Sequence, residues 1–395
     1  MKILIITPTY APAWKFGGTV AAMTQLAQAL NSHPTTSVTV YTTNASNEEE
    51  KLAVNLETST KVDGVPTFYF DCGKWNSSAF YSVDMIKDLK NNVHKYDIVY
   101  ISAIWQLLGY TSAKICSKHK IPYVLGIHGS FSKRLRQRSK LKKEIYYQFL
   151  LKTILKKAAA IHVTGDQEIK DAGGWIDNYT TIKIPNIINN SKYTILEEPL
   201  IKQNFRAIHN IPKNSKIILT VCRPDWMKRV DILLEAISSN ENYYLIYVGD
   251  IKNTIVKEWK DKAKKLELTN RFICTGELKG VNLIAAYNNA DIFSLISMNE
   301  NFSMVVVEAL LCGAPVLISE EVGVGEYLNE NPYTIITKLD KDIISKKLDN
   351  FFDRNTTIDK NKVRNSILNV FSSKHLSNLF INNFQEILNT KSNKI

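Results

Sequence analysis

The sequence predicts two α/β domains in series, each a doubly wound parallel sheet, on three observations. The chain has 395 residues, more than the roughly 250–300 at which a single core stops growing. Short β-branched runs alternate with amphipathic helical patterns through both halves, the signature of βαβ units. Between residues 184 and 212 that alternation lapses into an Asn-, Pro- and Lys-containing stretch with no clear period, as an interdomain connection reads. The boundary is placed near Asn189, giving domains 1–189 and 190–372 and a closing segment 373–395.

Taken in order, the strand candidates of the first half are residues 2–8, 38–43, 97–102, 122–128 and 160–165. The first has one positive charge, ends at Pro8 and lacks a small-residue cleavage site, so it reads as a buried strand and not as a signal peptide. In the second half the candidates are 216–222, 243–249, 271–276, 292–297 and 315–319, apolar enough throughout to be buried on both faces. Near the end, Leu376, Leu379, Phe380, Phe384, Ile387 and Leu388 fall at helical spacing. That face needs a partner, and the helix is expected to pack back on the N-terminal domain.

The 45% hydrophobic and 22% charged residues are those of a soluble globular protein. No window approaches the roughly 20 apolar residues of a membrane span, so a cytoplasmic protein is expected. Five cysteines, Cys72, Cys116, Cys222, Cys274 and Cys312, are scattered with no C-x-x-C pair, which predicts a reducing compartment and no zinc site. A net charge of +12 calls for an anionic partner: phosphorylated substrate, acidic membrane or nucleic acid. The basic residues are interleaved with 38 acidic ones and form no known recognition module, which weighs against nucleic acid.

The richest segment runs from Glu300 through Phe302, Ser303, Met304 and Glu308 to Pro315. Ser303 is expected to cap a helix that is apolar on nearly every side and therefore buried. Glu308 then stands as a carboxylate inside it, which calls for donors: the hydroxyls of a ribose, or an internal Arg or Lys. The helix start offers unpaired N–H groups to a diphosphate. Arg223 and Lys228 bracket a strand-to-helix turn, where they either neutralise a pyrophosphate or are solvated loop charges. Gly17-Gly18, after the first strand, allow close backbone approach by a ligand or simply form a loop. His128 ends a strand candidate, where a lone histidine is either structural or catalytic.

Together these residues resemble the family 4 retaining glycosyltransferases over nearly the whole chain. Glu300 and Glu308 match the family's E-x7-E motif, and Ala309-Leu310 and Gly313-Ala314-Pro315 fit its continuation. Arg223 and Lys228 match the pair that holds the donor diphosphate. Gly17-Gly18 resemble the glycine loop that closes over donor phosphate, and His128 a histidine of the sugar pocket. Gly276-Glu277-Leu278 stand where the family's backbone meets the nucleobase. The resemblance implies the GT-B fold, two Rossmann-like domains facing each other across a cleft, with the acceptor on the N-terminal domain and the donor on the C-terminal one. It implies retention of configuration, a nucleotide diphosphate sugar as donor, and neither cofactor nor metal. In this scheme Glu300 orients sugar hydroxyls, Glu308 holds the ribose, and Arg223 with Lys228 stabilises the leaving diphosphate. Three places depart from the pattern: Ser303 stands where glycine is commoner, Arg229 replaces the frequent glycine after the lysine, and 185–189 lacks a glycine.

Lys133, Arg134, Arg136, Arg138, Lys140, Lys142 and Lys143 lead into Tyr146, Tyr147, Phe149, Leu150 and Leu151. Such a stretch either rests on anionic lipid or is a solvated helix face. The resemblance favours a glycan or polyprenyl-linked acceptor in capsule or lipopolysaccharide synthesis, at the inner face of the membrane. A sugar-nucleotide epimerase on the same architecture stays open. A nicotinamide-dependent dehydrogenase is disfavoured by the missing G-x-G-x-x-G.

Overall fold

The β-branched runs become strands in the computed structural model, which describes residues 1–46, 50–73, 80–132, 140–196, 205–353 and 357–392. These fall into two units, Met1–Ile188 with Ser373–Ile395, and Asn189–Ser372. In the first unit β1 (Lys2–Ile6), α1 (Gly18–Asn31), β2 (Ser37–Thr43), β3 (Ser59–Val62), β4 (Val65–Phe70) and α2 (Val83–Asn92) are followed by β5 (Ile98–Ile101), α3 (Leu107–Lys118) and β6 (Tyr123–Gly126). Then come α4 (Lys140–Tyr146), a π turn (Tyr147–Leu151), α5 (Lys152–Lys157), β7 (Ala160–Val163), α6 (Asp166–Ala172) and β8 (Thr181–Lys183). The sheet order is β3-β4-β2-β1-β5-β6-β7-β8. Every pairing is parallel except the β3–β4 hairpin, which turns at Asp63 and Gly64 with φ of 47° and 82°. Two positive φ values in a two-residue loop are what an Asp-Gly pair supplies most cheaply.

The second unit runs β9 (Lys216–Val221), α7 (Val230–Ile237), β10 (Tyr243–Val248), α8 (Thr254–Lys265), β11 (Phe272–Gly276), α9 (Gly280–Asn289) and β12 (Ile292–Leu295). It continues with α10 (Met304–Leu311), β13 (Val316–Ser319), β14 (Thr334–Thr337), α11 (Lys341–Phe352) and α12 (Lys360–Phe371). Its strand order, β11-β10-β9-β12-β13-β14, is the doubly wound order 3-2-1-4-5-6. The middle strands are buried on both faces, as Ile217, Ile218, Leu219, Leu245, Ile246, Ile292, Phe293 and Leu317 show. Each such side chain removed from water contributes roughly 1.5–3 kcal/mol.

The final helix, α13 (Ser373–Ser392), belongs to the first unit. It packs on α1, burying Leu376, Phe380, Ile381 and Phe384, with the Phe380 ring centroid 4.8 Å from that of His162. Leu379, Ile387 and Leu388 of the expected apolar face are only half-buried, and Ile381 joins the contact instead. Among the described residues no helix is long and apolar enough to cross a membrane.

Candidate functional site

In open α/β sheets ligands bind beyond the C-terminal strand ends at the point where strand order reverses. In the second unit that point lies between β9 and β12. The loop after β9 carries Arg223, which is exposed. Asp225 then accepts from the Met227 N–H at 2.9 Å and starts the 3-10 turn Trp226–Lys228. Arg229 follows in the left-handed region, φ 47°, its guanidinium clamped on both oxygens of Asp231 at 3.0 Å each. This turn delivers Lys228 to the loop after β12, where its ammonium pairs with the Glu300 carboxylate. Their side chains are only 19% and 16% exposed, so solvent screens the pair poorly.

Glu300 is held by its backbone. Its N–H donates to the Glu321 carbonyl and its carbonyl accepts from Gly323 N–H, both at 3.0 Å. A side chain at Gly323 would collide with the Asn301 carbonyl. The two loops are also tied to each other, because Met298 N–H donates to the Met227 carbonyl at 2.8 Å.

Ser303 corrects an expectation. It stands at the start of α10 with φ 77° and ψ 77°, and its hydroxyl makes no capping bond. A capping serine needs an extended backbone, whereas this turn is one that glycine occupies at least cost. Arg229 and Ser303, the two residues that replace glycine in the resemblance, thus both sit in a glycine-type conformation. The α10 helix is buried as expected, with Phe302 at 3% and Met304 at 8% exposure. The Val306 N–H at its start donates to the Ser303 carbonyl at 3.2 Å, and a helix start leaves its first N–H groups short of intrahelical acceptors.

Glu308 is 6% exposed, and among the described residues no arginine or lysine pairs with it directly, although the Lys192 charge lies close enough to favour the carboxylate. Its internal partners are phenols: Tyr287 Oη donates to it at 2.9 Å, and the Tyr193 hydroxyl makes a second hydrogen bond. Burial pushes the Glu308 carboxyl up from its ordinary range, and the two phenols pull it part of the way back. At the end of β11, Gly276 takes φ 82° with open space where a side chain would stand. Glu277 is exposed beside Lys279 at 3.9 Å, and Leu278 is half-buried. Burial pushes the Cys222 thiol, adjacent to Arg223, up to about 12, which leaves it a poor nucleophile. Among the described residues no three His, Cys, Asp or Glu side chains cluster to hold a metal ion.

In the first unit Gly17 has φ 76° and Gly18 opens α1 with nothing within 4 Å of a would-be side chain. The strand expected through residue 128 stops at Gly126, because His128 and Gly129 turn left-handed with φ of 40° and 74°. His128 Nε2 lies 2.7 Å from Tyr100 Oη. Burial first, and then neighbouring His162, brings the His128 imidazole down to about 3. It is therefore neutral at physiological pH and poorly matched to proton shuttling there.

Lys133, Arg134, Arg136 and Arg138 lie outside the described residues. Downstream, the aromatic stretch is corrected in part: Tyr147 stacks on Trp175 at 4.3 Å, and Leu151 is fully buried, so neither faces outward. Leu141, Ile145 and Phe149, four residues apart along α4 and the π turn, are 74%, 52% and 73% exposed. Lys142, Lys152 and Lys156 are exposed alongside them.

A profile described as Glycosyltransferase Family 4 matches residues 16–186, and one described as Glycosyl transferases group 1 matches residues 201–366. The chain belongs to glycosyltransferase family 4. An uncharacterized glycosyltransferase of Methanocaldococcus jannaschii is 26% identical over 60% of this chain and 60% of its own length. The alpha-monoglucosyldiacylglycerol synthase of Streptococcus pneumoniae is 27% identical over 34% of this chain and 31% of its own. The matched region thus spans less than two thirds of either relative. The Anabaena protein HepE, solved in complex with UDP and glucose, superposes with a TM-score of 0.75 at 17% identity, covering 98% of this chain and 100% of its own. The fold is GT-B.

Within this glycosyltransferase sequence no local motif marks Tyr193 and Tyr287, or Tyr100, His162 and Glu168 around His128. The need for donors at Glu308 was readable, but nothing local pointed to tyrosines 115 and 21 positions away. The buried histidine at position 162 lay inside a strand candidate, where it reads as ordinary core.

Proposed function

We propose that this chain transfers a hexosyl group, with retention of configuration, from a nucleotide diphosphate sugar to a glycan or polyprenyl-linked acceptor of a surface polysaccharide, without a metal. The observation that carries this reading is the contact between Lys228 and Glu300 at the reversal point of the sheet, with Arg223 exposed on the same turn. A carboxylate suited to orienting sugar hydroxyls stands beside a cation suited to the diphosphate. In the reaction the bond from sugar C1 to the diphosphate oxygen breaks, and its electron pair leaves with the phosphate. The acceptor hydroxyl bonds to C1 on the same face and yields its proton to the departing oxygen. Lys228 and Arg223 neutralise the charge that develops, the role in which removal of one donor typically costs about 10²–10³ in rate. Glu308 would hold the ribose, Gly276, Glu277 and Leu278 the base, and the α10 start with Gly17-Gly18 the phosphates, while His128 would line the sugar pocket.

HepE complexed with UDP and with UDP-glucose supports a UDP-sugar as the first donor to try. The exposed Leu141, Ile145 and Phe149 with their flanking lysines support docking on the anionic inner face of the membrane. Each basic residue near such a surface contributes about 1 kcal/mol. A relative whose name specifies a diacylglycerol glycolipid product fits that placement.

The test is thermal unfolding against UDP-, GDP-, ADP- and CMP-sugars with and without Mg²⁺. A ligand at about 100 times its Kd adds roughly 2.7 kcal/mol. A selective shift that survives EDTA is expected, and no shift with any nucleotide sugar overturns the reading. Lys228→Ala is expected to lower turnover by about 10²–10³, and near wild-type turnover removes its assigned role. Co-sedimentation with anionic vesicles, weakened by Ile145→Asp, is the expected membrane result; protein left in the supernatant refutes that part.

A further inference from the structure

Among the described residues of the first unit, three buried side-chain polar atoms have no hydrogen-bond partner, Tyr10 Oη, Ser112 Oγ and His128 Nδ1, and only the last belongs to a ring whose other nitrogen is engaged. Nδ1 of His128 is buried, and among the described residues nothing hydrogen-bonds to it. Its chemical character follows from the contacts behind the ring. His162 Nε2 lies 2.8 Å from the carbonyl oxygen of Ile184. A carbonyl only accepts, so that nitrogen carries the proton, and Nδ1 of the same neutral ring is a lone pair. Tyr100 Oη, 2.7 Å from His162 Nδ1, therefore donates its single proton there. The 2.7 Å contact between Tyr100 Oη and His128 Nε2 then requires His128 to be the donor. With its proton on Nε2, His128 presents a lone pair at Nδ1.

The fold is built around this chain. Tyr100 on β5 and His162 on β7 meet across β6 above Gly126, where any side chain would collide with the Tyr100 hydroxyl. The left-handed turn that places His128 is gripped from the far side. The Gly129 N–H donates to buried Glu168, whose other oxygen accepts the Thr164 N–H at 2.7 Å and its hydroxyl at 3.0 Å. Burial keeps both imidazoles neutral, His128 down to about 3 and His162 down to about 4.

We propose that Tyr100 and His162 are positioning residues that lock His128 as a hydrogen-bond acceptor at Nδ1, so that it takes a ligand hydroxyl and rejects a phosphate oxygen. The identity of that hydroxyl as one of the donor sugar rests on the function proposed above; the locked tautomer does not. A phosphate oxygen at Nδ1 would set lone pair against lone pair, whereas an O–H group completes the chain from ligand to Ile184.

The experiment is ¹⁵N NMR of the full chain labelled at histidine, with the His128 signals assigned by their loss in His128→Gln. The wild type is expected to show His128 Nδ1 unprotonated and Nε2 protonated; a protonated Nδ1 overturns the proposal. In His162→Phe the Tyr100 hydroxyl loses its acceptor and turns to His128 Nε2, so the proton is expected to move to Nδ1. In Tyr100→Phe neither nitrogen is dictated, and exchange between both forms is expected. A merely structural role for the two residues would leave the tautomer unchanged in every variant that folds, and that result also overturns the proposal. If the tautomers behave as stated but no nucleotide sugar moves the Nδ1 signal, the lock stands and the sugar-donor reading falls.

Discussion

Replacing Tyr287 by Phe is expected to destabilise the second unit in a way that grows with pH. Tyr287 is fully buried, so the substitution leaves the ring packing intact and deletes only the hydroxyl that donates to Glu308 at 2.9 Å. Hydrogen bonds to charged groups contribute about 1.5–3 kcal/mol. For a unit of this size that corresponds to a fall in midpoint of roughly 2–4 °C per kcal/mol, or about 3–12 °C in all. The pH dependence follows from the carboxyl. Burial raises the Glu308 pKa and the phenols lower it, so losing one phenol raises it further. A carboxyl whose folded pKa lies above its unfolded value of about 4.3 binds more protons folded than unfolded between the two, so its contribution falls as pH rises through that window. The variant widens the window. Its deficit is expected to be smallest near pH 4, where Glu308 is mostly protonated in both states, and to grow as pH rises. Urea unfolding of Tyr287→Phe, Glu308→Gln and the double variant from pH 4 to 8 measures the coupling directly. A deficit that is the same at pH 4 and pH 8, or equally large when Gln already replaces Glu308, would refute the reasoning.

Ser303→Gly is expected to raise the unfolding midpoint, because a left-handed residue with a Cβ costs about 1–2 kcal/mol and the added freedom of glycine returns only about 0.5–1; a lower midpoint would show that the hydroxyl matters more than the backbone. Arg364→Gln is expected to cost about 3 kcal/mol or more in urea unfolding, since its guanidinium serves the carbonyls of Tyr193 and Leu311 at 2.5 Å and of Asn190 at 2.7 Å. His128 and His162 remain neutral when folded but protonate below about pH 6.5 when unfolded, so stability falls as pH drops from about 6.5 toward 4. His162→Phe removes one of these groups, and the measured slope of stability against pH across that window is expected to become shallower by up to about one proton.

The doubly wound sheets were legible because parallel strands buried on both faces leave continuous β-branched runs that no surface element imitates. The β3–β4 hairpin is less legible although Asp63-Gly64 signals it: β3 has no buried residue, and the run of β4, though four of its six residues are buried, is interrupted by Pro66. Edge strands β8 and β14 are too short to show any period. At the site, the glutamate spacing and the two cations were readable, but Lys228 and Glu300 stand 72 positions apart, and only the adjacency of β9 and β12 brings them together. Ser303 shows the opposite failure. A serine before an apolar helix reads as a cap, and the left-handed backbone that denies it this role is imposed by the loop that clamps Glu300. The phenols on Glu308 and the Tyr100–His162 chain are long-range contacts between core positions, for which one sequence carries no local mark.

The placement of α13 in the first unit also sets an order of events during synthesis. Phe380 and Phe384, which fill the groove beside α1 and His162, are translated only after the whole of Asn189–Ser372. At about 5–20 residues per second that intervening stretch takes roughly 10 to 40 s. For that interval the N-terminal sheet emerges with an uncovered apolar seam, and any chain cut short within the second unit leaves the first one permanently open.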